Sequence, residues 1–221
     1  MTPHSCSGLR VHPQVRRSAG MLLALVFAFA SSSPAFCDEI HDAARKGDLA
    51  KVQELLKQDP TLVSSREIEG QTPLHFAAAS SRTDVAAFLL ASKAEVDARD
   101  SFGKTPLHRA ASFGSKEIAQ LLLSNKADVN ARDNTGWTPL HIAALFANVP
   151  FVEFLLANGA DVNIQSNEGH TALHYAKHSF QRADLIIWAQ AKHVDSRRAG
   201  LWEKTCRDTI EKLLREHGGR D

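Results

Sequence analysis

One short motif recurs along the chain at a fixed interval. The copies are "GQTPLHFAAASS" from 70, "GKTPLHRAASFG" from 103, "GWTPLHIAALFA" from 136 and "GHTALHYAKHSF" from 169. Their threonines are Thr72, Thr105, Thr138 and Thr171, so the numbering advances by 33 from each copy to the next. A sequence period between about 20 and 50 residues predicts an array of small similar units rather than one irregular globule.

The third copy shows how one unit is built. Thr105 followed by Pro106 is a helix start signal, because the hydroxyl can cap an open N–H and proline suits the first helical position. Gly114 can adopt the left-handed conformation that ends a helix after about two turns. The segment "KEIAQLLLSNK" predicts a second, longer helix, and "ADVNARDNTG" is rich in turn-forming residues. The unit is therefore a turn, a short helix, a loop and a longer helix.

A single unit of this size cannot stand alone. Its few apolar side chains do not bury enough surface to offset the conformational entropy lost on ordering the whole unit. The helices must therefore bury their remaining apolar faces on neighbouring copies, and the units must stack.

The period, the threonine starts and the "ADVNARD" unit ends resemble ankyrin repeats. The resemblance implies an all-α ankyrin-repeat solenoid of about five stacked helix-loop-helix units with turn or hairpin tips. The segment "AARKGDLAKVQELL" resembles the N-terminal capping repeat of that family, although it lacks the threonine start. The predicted units are 36–68 (N-terminal cap), 69–101, 102–134, 135–167 and a degenerate C-terminal unit, 168–221.

The C-terminal unit departs from the repeat pattern and leaves two interpretations open. In one, the fifth repeat closes near Asp195 and a capping helix follows. In the other, residues 180–205 are an insertion and "TIEKLLREHGG" is the second helix of the fifth repeat. The second interpretation is favoured, because the resemblance to ankyrin repeats implies a repeat ending of this kind. Both predict helices near 183–191 and 202–216.

The first 35 residues have the pattern of a cleaved secretory signal. Three arginines precede a ten-residue apolar core, Met21–Ala30, and Ser33 and Ala35 are small residues at the positions that signal peptidase reads. A membrane-spanning helix needs about 20 apolar residues, twice this length. We therefore expect a signal peptide over 1–35, cleavage near Ala35, no stable membrane insertion afterwards, and an exported protein in the periplasm or outside the cell. The arginines are Arg10, Arg16 and Arg17.

The charge balance argues against a nucleic-acid partner. The chain has 26 lysines and arginines against 25 acidic residues, and the predicted leader contains three of the arginines and no acid. A chain without basic excess lacks the electrostatic term that dominates binding to phosphate backbones.

The histidines of the repeated motif invite a metal or acid–base interpretation, which geometry disfavours. Packed helices lie about 8–10 Å apart, whereas ligand nitrogens lie about 2 Å from a zinc ion. Histidines on successive stacked units therefore cannot converge on one metal. The resemblance implies that they and the motif threonines are structural: Thr72, His75, Thr105, His108, Thr138, His141, Thr171 and His174.

A second histidine group lies within the C-terminal unit, where His170, His174 and His178 have helical spacing. They form either a solvated helix edge or a loose transition-metal site, and the first interpretation is preferred. The chain has no phosphate loop, paired acids or nucleophile-and-base signature, so we expect no catalytic residue, no cofactor and no enzyme activity.

After signal removal two cysteines remain, Cys37 and Cys206. They flank opposite ends of a five-unit stack, which is about 40 Å long at helix-packing spacing, whereas a disulfide needs Cα atoms within about 7 Å. We expect two thiols in a monomer, or one intermolecular bond.

Because the sequence shows no catalytic or cofactor-binding signature, function is expected on the concave face of the stack, where solenoids usually bind their partners. In the ankyrin family, partners contact the turn tips and the ends of the first helices. The resemblance places an apolar ridge at these positions on the two middle units, formed by Phe102, Phe113, Trp137, Leu145 and Phe146. An alternative is that Trp137 packs partly on the next turn and that Leu145 and Phe146 are drawn into the core. The predicted function is an exported, monomeric module that binds an unidentified protein; a small enzyme or metal-binding accessory protein that acts through the C-terminal segment is the alternative. The predicted contacts are Phe102, Lys104, Phe113, Thr135, Trp137, Leu145 and Phe146.

Overall fold

The computed structural model describes residues 34–178 and 196–220, with side chains described over 38–178 and 204–220. Within these ranges the chain forms ten α-helices and one short 3-10 helix, Pro60–Ser64. The predicted all-α repeat solenoid is confirmed. The helices are α1 Pro34–Lys46, α2 Leu49–Gln58, α3 Pro73–Ala79, α4 Thr83–Ala91, α5 Pro106–Phe113, α6 Lys116–Ser124, α7 Pro139–Leu145, α8 Val149–Ala157, α9 Ala172–His178 and α10 Ser196–Glu216.

The helices pair into five units that stack in chain order. The first helices of successive units pack on one another, α1 on α3, α3 on α5, α5 on α7 and α7 on α9. Each second helix lies behind the first helix of its own unit, as α4 does behind α3 and α6 behind α5. One leucine of each motif is fully or almost fully buried between the layers: Leu74, Leu107, Leu140 and Leu173.

The first helices start and stop where the sequence predicts. Thr105 is the N-cap of α5 and Pro106 its first residue, and Gly114 closes the helix with φ +73°. The same closing position is taken by Ser81 with φ +56° and by Ala147 with φ +52°. The turn is therefore imposed by the stack even where no glycine relieves its backbone strain.

Hairpin turns connect the units and pair side by side. In the hairpin that leads into the third unit, the Asp100 carboxylate accepts hydrogen bonds from the backbone N–H groups of Phe102, at 2.9 Å, and Lys104, at 2.8 Å. Neighbouring hairpins are joined by backbone bonds at equivalent positions: Ser101 N–H to Glu69 O, Asn134 N–H to Phe102 O and Asn167 N–H to Thr135 O. These bonds fix the spacing of the hairpin tips along one side of the stack.

The last unit regains the repeat register at its end. Asn163 donates to Gly218 O and accepts from Arg220 N–H, as Asn130 does with Gly159 O and Asp161 N–H. The separation along the chain is 55 residues in the first case and 29 in the second, so the last unit contains 26 more. The C-terminal half of α10 thus occupies the second-helix place, packed on α8 and α9.

The predicted helix near 202–216 lies within α10, whereas the one near 183–191 falls outside the described residues. The boundaries of the predicted insertion, 180–205, and of the units remain predictions.

The first and last helices contain the predicted cleavage site and the two remaining cysteines. The leader itself lies outside the described residues, and α1 already begins at Pro34, so cleavage near Ala35 would fall in its first turn. Cys37 lies in α1 at one end of the stack, and Cys206 lies in α10 at the other. Within residues 34–178 and 196–220, none of the helices is long and apolar enough to cross a membrane.

Candidate functional site

The concave face consists of the hairpin tips and the exposed sides of the first helices. The third unit shows why: Leu107, His108 and Ala110 of α5 are buried against neighbouring helices, whereas Phe113 points to solvent with 64% of its surface exposed. Because α5 packs on α3, α6 and α7, this side is the one that the stack leaves open.

Large exposed apolar side chains occur at four places among the described residues, and three of them were predicted contacts. Phe102 is 53% exposed at a hairpin tip, and Phe146, just after α7, is 48% exposed. Together with Phe113 they form the phenylalanine set of the concave face. Ile68, at 83% exposure, is the fourth, and it lies at the hairpin that opens the ladder of paired tips. Leu145 is half-buried.

Trp137 differs from the three phenylalanines because it is half-buried and packs against the core. Its ring centroid lies 4.4 Å from that of Tyr175 in the next unit, and its carbonyl oxygen accepts a hydrogen bond from His108 Nε2 at 3.0 Å. Trp137 is therefore partly covered by a residue of helix α9 in the next unit. Its truncation is therefore expected to affect folding as well as any surface role.

Thr135 and Lys104 belong to the hairpin tips. The Thr135 hydroxyl and N–H both donate to Asp133 Oδ1, at 2.6 and 2.9 Å, so this side chain stabilises its own turn. The Lys104 backbone N–H is bound by Asp100, and its ammonium group makes no ion pair in the described part of the chain.

A buried ion pair beneath the third unit was missed by the sequence reasoning. Arg109 Nη2 donates to Asp100 Oδ2 at 2.6 Å; the Asp100 side chain is fully buried and that of Arg109 is 20% exposed. Arg109 Nε is buried without a hydrogen-bond partner among the described residues. The pair places a guanidinium on the open side of α5, one turn before Phe113.

The motif histidines of the second, third and fourth units form one repeated hydrogen-bond arrangement. In the second unit His75 Nδ1 accepts from Thr72 N–H at 3.1 Å, while Nε2 donates to Lys104 O in the next unit at 3.0 Å. His108 and His141 make the equivalent bonds to Trp137 O and His170 O. The histidines therefore tie each unit to its successor.

Burial keeps these imidazoles neutral. It lowers the pKa of His75 from its ordinary value of 6.5 to about 4. Burial also lowers the pKa of His108 and of His141. A neutral ring with one donor and one acceptor nitrogen satisfies this network, whereas a protonated ring would lose its acceptor.

The first unit contains an equivalent histidine that the fixed period conceals. His41 is buried and its Nε2 lies 3.2 Å from Ser65 O. It lies one position further from His75 than His75 lies from His108, because the first unit carries an additional residue. A search that allowed single-residue shifts would have found it.

The histidines of the C-terminal unit form a column of rings. His170 and His174 stack face to face with centroids 3.7 Å apart, and His174 and His178 lie 4.5 Å apart. Within the described ranges, no group of three or more His, Cys, Asp or Glu residues is arranged to hold a metal ion.

The stacked helix pairs, the hairpin ladder and the open concave face define a helical repeat solenoid. Residues 40–133 match a family model of ankyrin repeats in three copies, and residues 111–156 match a second ankyrin-repeat model of many copies. The two matches together span more than half of the chain, which thus belongs to the ankyrin repeat family.

Shorter stretches are similar to curated proteins. A 54-residue stretch, 24% of this chain, is 43% identical to part of the serine/threonine-protein kinase VIK of Arabidopsis thaliana and covers 12% of that protein. A 59-residue stretch, 27% of the chain, is 37% identical to part of the ankyrin repeat protein FPV240 of fowlpox virus (strain NVSL) and covers 14% of it. The chain thus spans a small part of the length of these relatives. Ankyrin repeats generally mediate protein–protein interactions and are typically non-catalytic.

Proposed function

We propose that this protein is an exported, non-catalytic module that binds one partner protein through the concave face of its stack. It acts as a monomer in the periplasm or outside the cell and needs no cofactor. The partner is a protein, not a nucleic acid, because the chain lacks the basic excess that phosphate binding requires.

The exposed phenylalanine set carries this proposal. Phe102, Phe113 and Phe146 expose about half or more of their surface on one face, in a fold that buries its leucines almost completely. Exposed apolar patches commonly mark interaction sites, and buried aromatic anchors supply much of the binding energy at protein interfaces. Core packing does not require these three side chains, so a role in binding is the better explanation for them.

Export rests on the sequence of the leader. The arginines, the apolar core and the small residues Ser33 and Ala35 match a cleavable signal, and the mature chain would begin at Phe36. Mass spectrometry of the N-terminus of the protein isolated from cells tests this, and an intact Met1 on the accumulated protein would contradict it.

The test of binding compares wild type with Phe102→Ala and Phe113→Ala. Each tagged protein is used to capture partners from the exported fraction, and the captured protein is then titrated to obtain its affinity. We expect each substitution to weaken binding at least tenfold, about 1.4 kcal/mol or more, while the melting temperature falls by only a few degrees. Partial proteolysis and circular dichroism check that the stack remains intact.

The matched control is Glu168→Ala, at the polar margin of the same face. Rim contacts usually contribute little, so its affinity should change by less than about 1 kcal/mol. The proposal fails if the phenylalanine variants bind as tightly as wild type, or if their binding falls only in proportion to the fraction that unfolds.

A further inference from the structure

The third unit carries two cationic side chains that lie, in chain order, between two phenylalanines. Phe102 and Lys104 lie two residues apart in the hairpin, and Arg109 and Phe113 lie four residues apart on the open side of α5. Residues four apart on a helix share one face. The order from tip to helix end is therefore apolar, cationic, cationic, apolar.

The acid next to these cations is already fully engaged. Asp100 Oδ1 accepts two backbone N–H bonds, and its Oδ2 accepts from Arg109. Its side chain is completely buried, so it lies beneath the concave surface and not on it. No other carboxylate pairs with Arg109 or Lys104 in the described part of the chain.

The Lys104 ammonium group and the outer part of the Arg109 guanidinium remain open to a ligand. Arg109 Nε itself is buried and cannot be reached from the surface, whereas the Arg109 side chain as a whole is 20% exposed. The Lys104 ammonium carries a charge beyond the one that Asp100 neutralises. An incoming carboxylate could accept from Lys104 and Arg109 together, and charge-assisted bonds of this kind are among the stronger ones.

We propose that the third unit recognises an acidic side chain, Asp or Glu, in a partner segment that carries apolar residues on both sides of it. The carboxylate binds at Lys104 and Arg109, and the flanking apolar side chains pack on Phe102 and Phe113. This inference rests on the proposed function, since it specifies which chemistry the concave face selects. The two phenylalanines supply contact area and the cations supply the preference for an acid.

A phage-displayed library of random 12-residue peptides tests this preference on the full purified protein. Peptides enriched on wild type should carry Asp or Glu between apolar residues. Binding of these peptides should fall at least tenfold with Lys104→Glu and at least tenfold with Phe102→Ala. A new selection on Lys104→Glu should enrich Lys or Arg at the same place. Arg109 is left unchanged because its removal would leave the buried Asp100 carboxylate without its cationic partner.

Lys93→Glu, at an exposed position two residues after α4, makes the same charge change behind the first helices and should leave peptide binding unchanged. Melting curves verify that each variant is folded. Enriched peptides without an acidic preference that respond to Phe102→Ala but not to Lys104→Glu would overturn this inference and leave the proposed function standing. Enriched peptides whose binding is unchanged by Lys104→Glu and by Phe102→Ala would overturn this inference and the proposed function.

Discussion

Acidification should destabilise this protein through its buried histidines, and His75 gives the clearest case. Its ring is completely buried; Nδ1 accepts from Thr72 N–H and Nε2 donates to Lys104 O. Protonation would put a second donor opposite Thr72 N–H and place a charge on a ring that is buried from solvent. The folded protein therefore holds this histidine neutral at pH values where the unfolded chain protonates it.

The sign and size of the effect follow from the pKa of His75, which burial lowers from 6.5 to about 4. The stabilisation is fully present above pH 6.5 and is lost as the pH falls towards 4, because in this interval the unfolded state binds the proton more tightly. At 1.36 kcal/mol per pH unit, His75 alone should cost about 2 kcal/mol at pH 5 and about 3 kcal/mol at pH 4. His108 and His141 act in the same direction.

Urea denaturation at pH 7.5 and pH 5, followed by circular dichroism, measures this cost for wild type and for His75→Gln. The variant will be less stable at both values, but its free energy of unfolding should fall by about 2 kcal/mol less between them, since it lacks the linked proton. His217→Gln replaces an exposed histidine just after α10 and is the control for a histidine outside the buried network. Equal pH dependence in wild type and His75→Gln would refute the argument that a buried neutral imidazole makes the stack sensitive to acid.

Two further substitutions test the contacts between units. Asp97→Asn should raise the free energy of unfolding by about 0.5–1.5 kcal/mol. The new amide could donate to Lys126 O, as Asn130 donates to Gly159 O, and the substitution removes a carboxylate whose pKa burial raises. Chemical denaturation measures this change, and a loss of stability would contradict the prediction. Leu107→Ala should cost about 2–5 kcal/mol through lost burial and the cavity left between units; Leu121→Ala, at a partly exposed site on α6, is the control that should cost less.

Local signals in the sequence were sufficient to predict where the first helices of the repeat begin and end. Thr105, Pro106 and Gly114 mark the ends of α5 by chemistry that acts within a few residues, and the period then transfers these ends to the other units. Geometry argued against a metal shared by the motif histidines, and the family resemblance implied a structural role for them. Their acceptors, such as Lys104 O, depend on the packing of one unit on the next.

The composition of the concave face was less predictable, because exposure there depends on residues one repeat away. Trp137 is partly covered by Tyr175 of the next unit, and nothing near Trp137 in the sequence signals this contact. The pair of Arg109 and Asp100 forms only because the hairpin folds back towards α5. Both features arise from packing across distant positions, which spacing rules for single helices do not capture.

The resumed register at the end of the chain has a practical consequence for protein engineering. Gly218 and Arg220 meet Asn163 in the same way as Gly159 and Asp161 meet Asn130, although 26 more residues intervene. The stack therefore keeps its contacts at Asn163 although its last unit is 26 residues longer than the one before it. A fluorescent reporter or a second binding domain could be spliced into that last unit and carried on the far end of the scaffold, leaving the surface of the middle units unaltered.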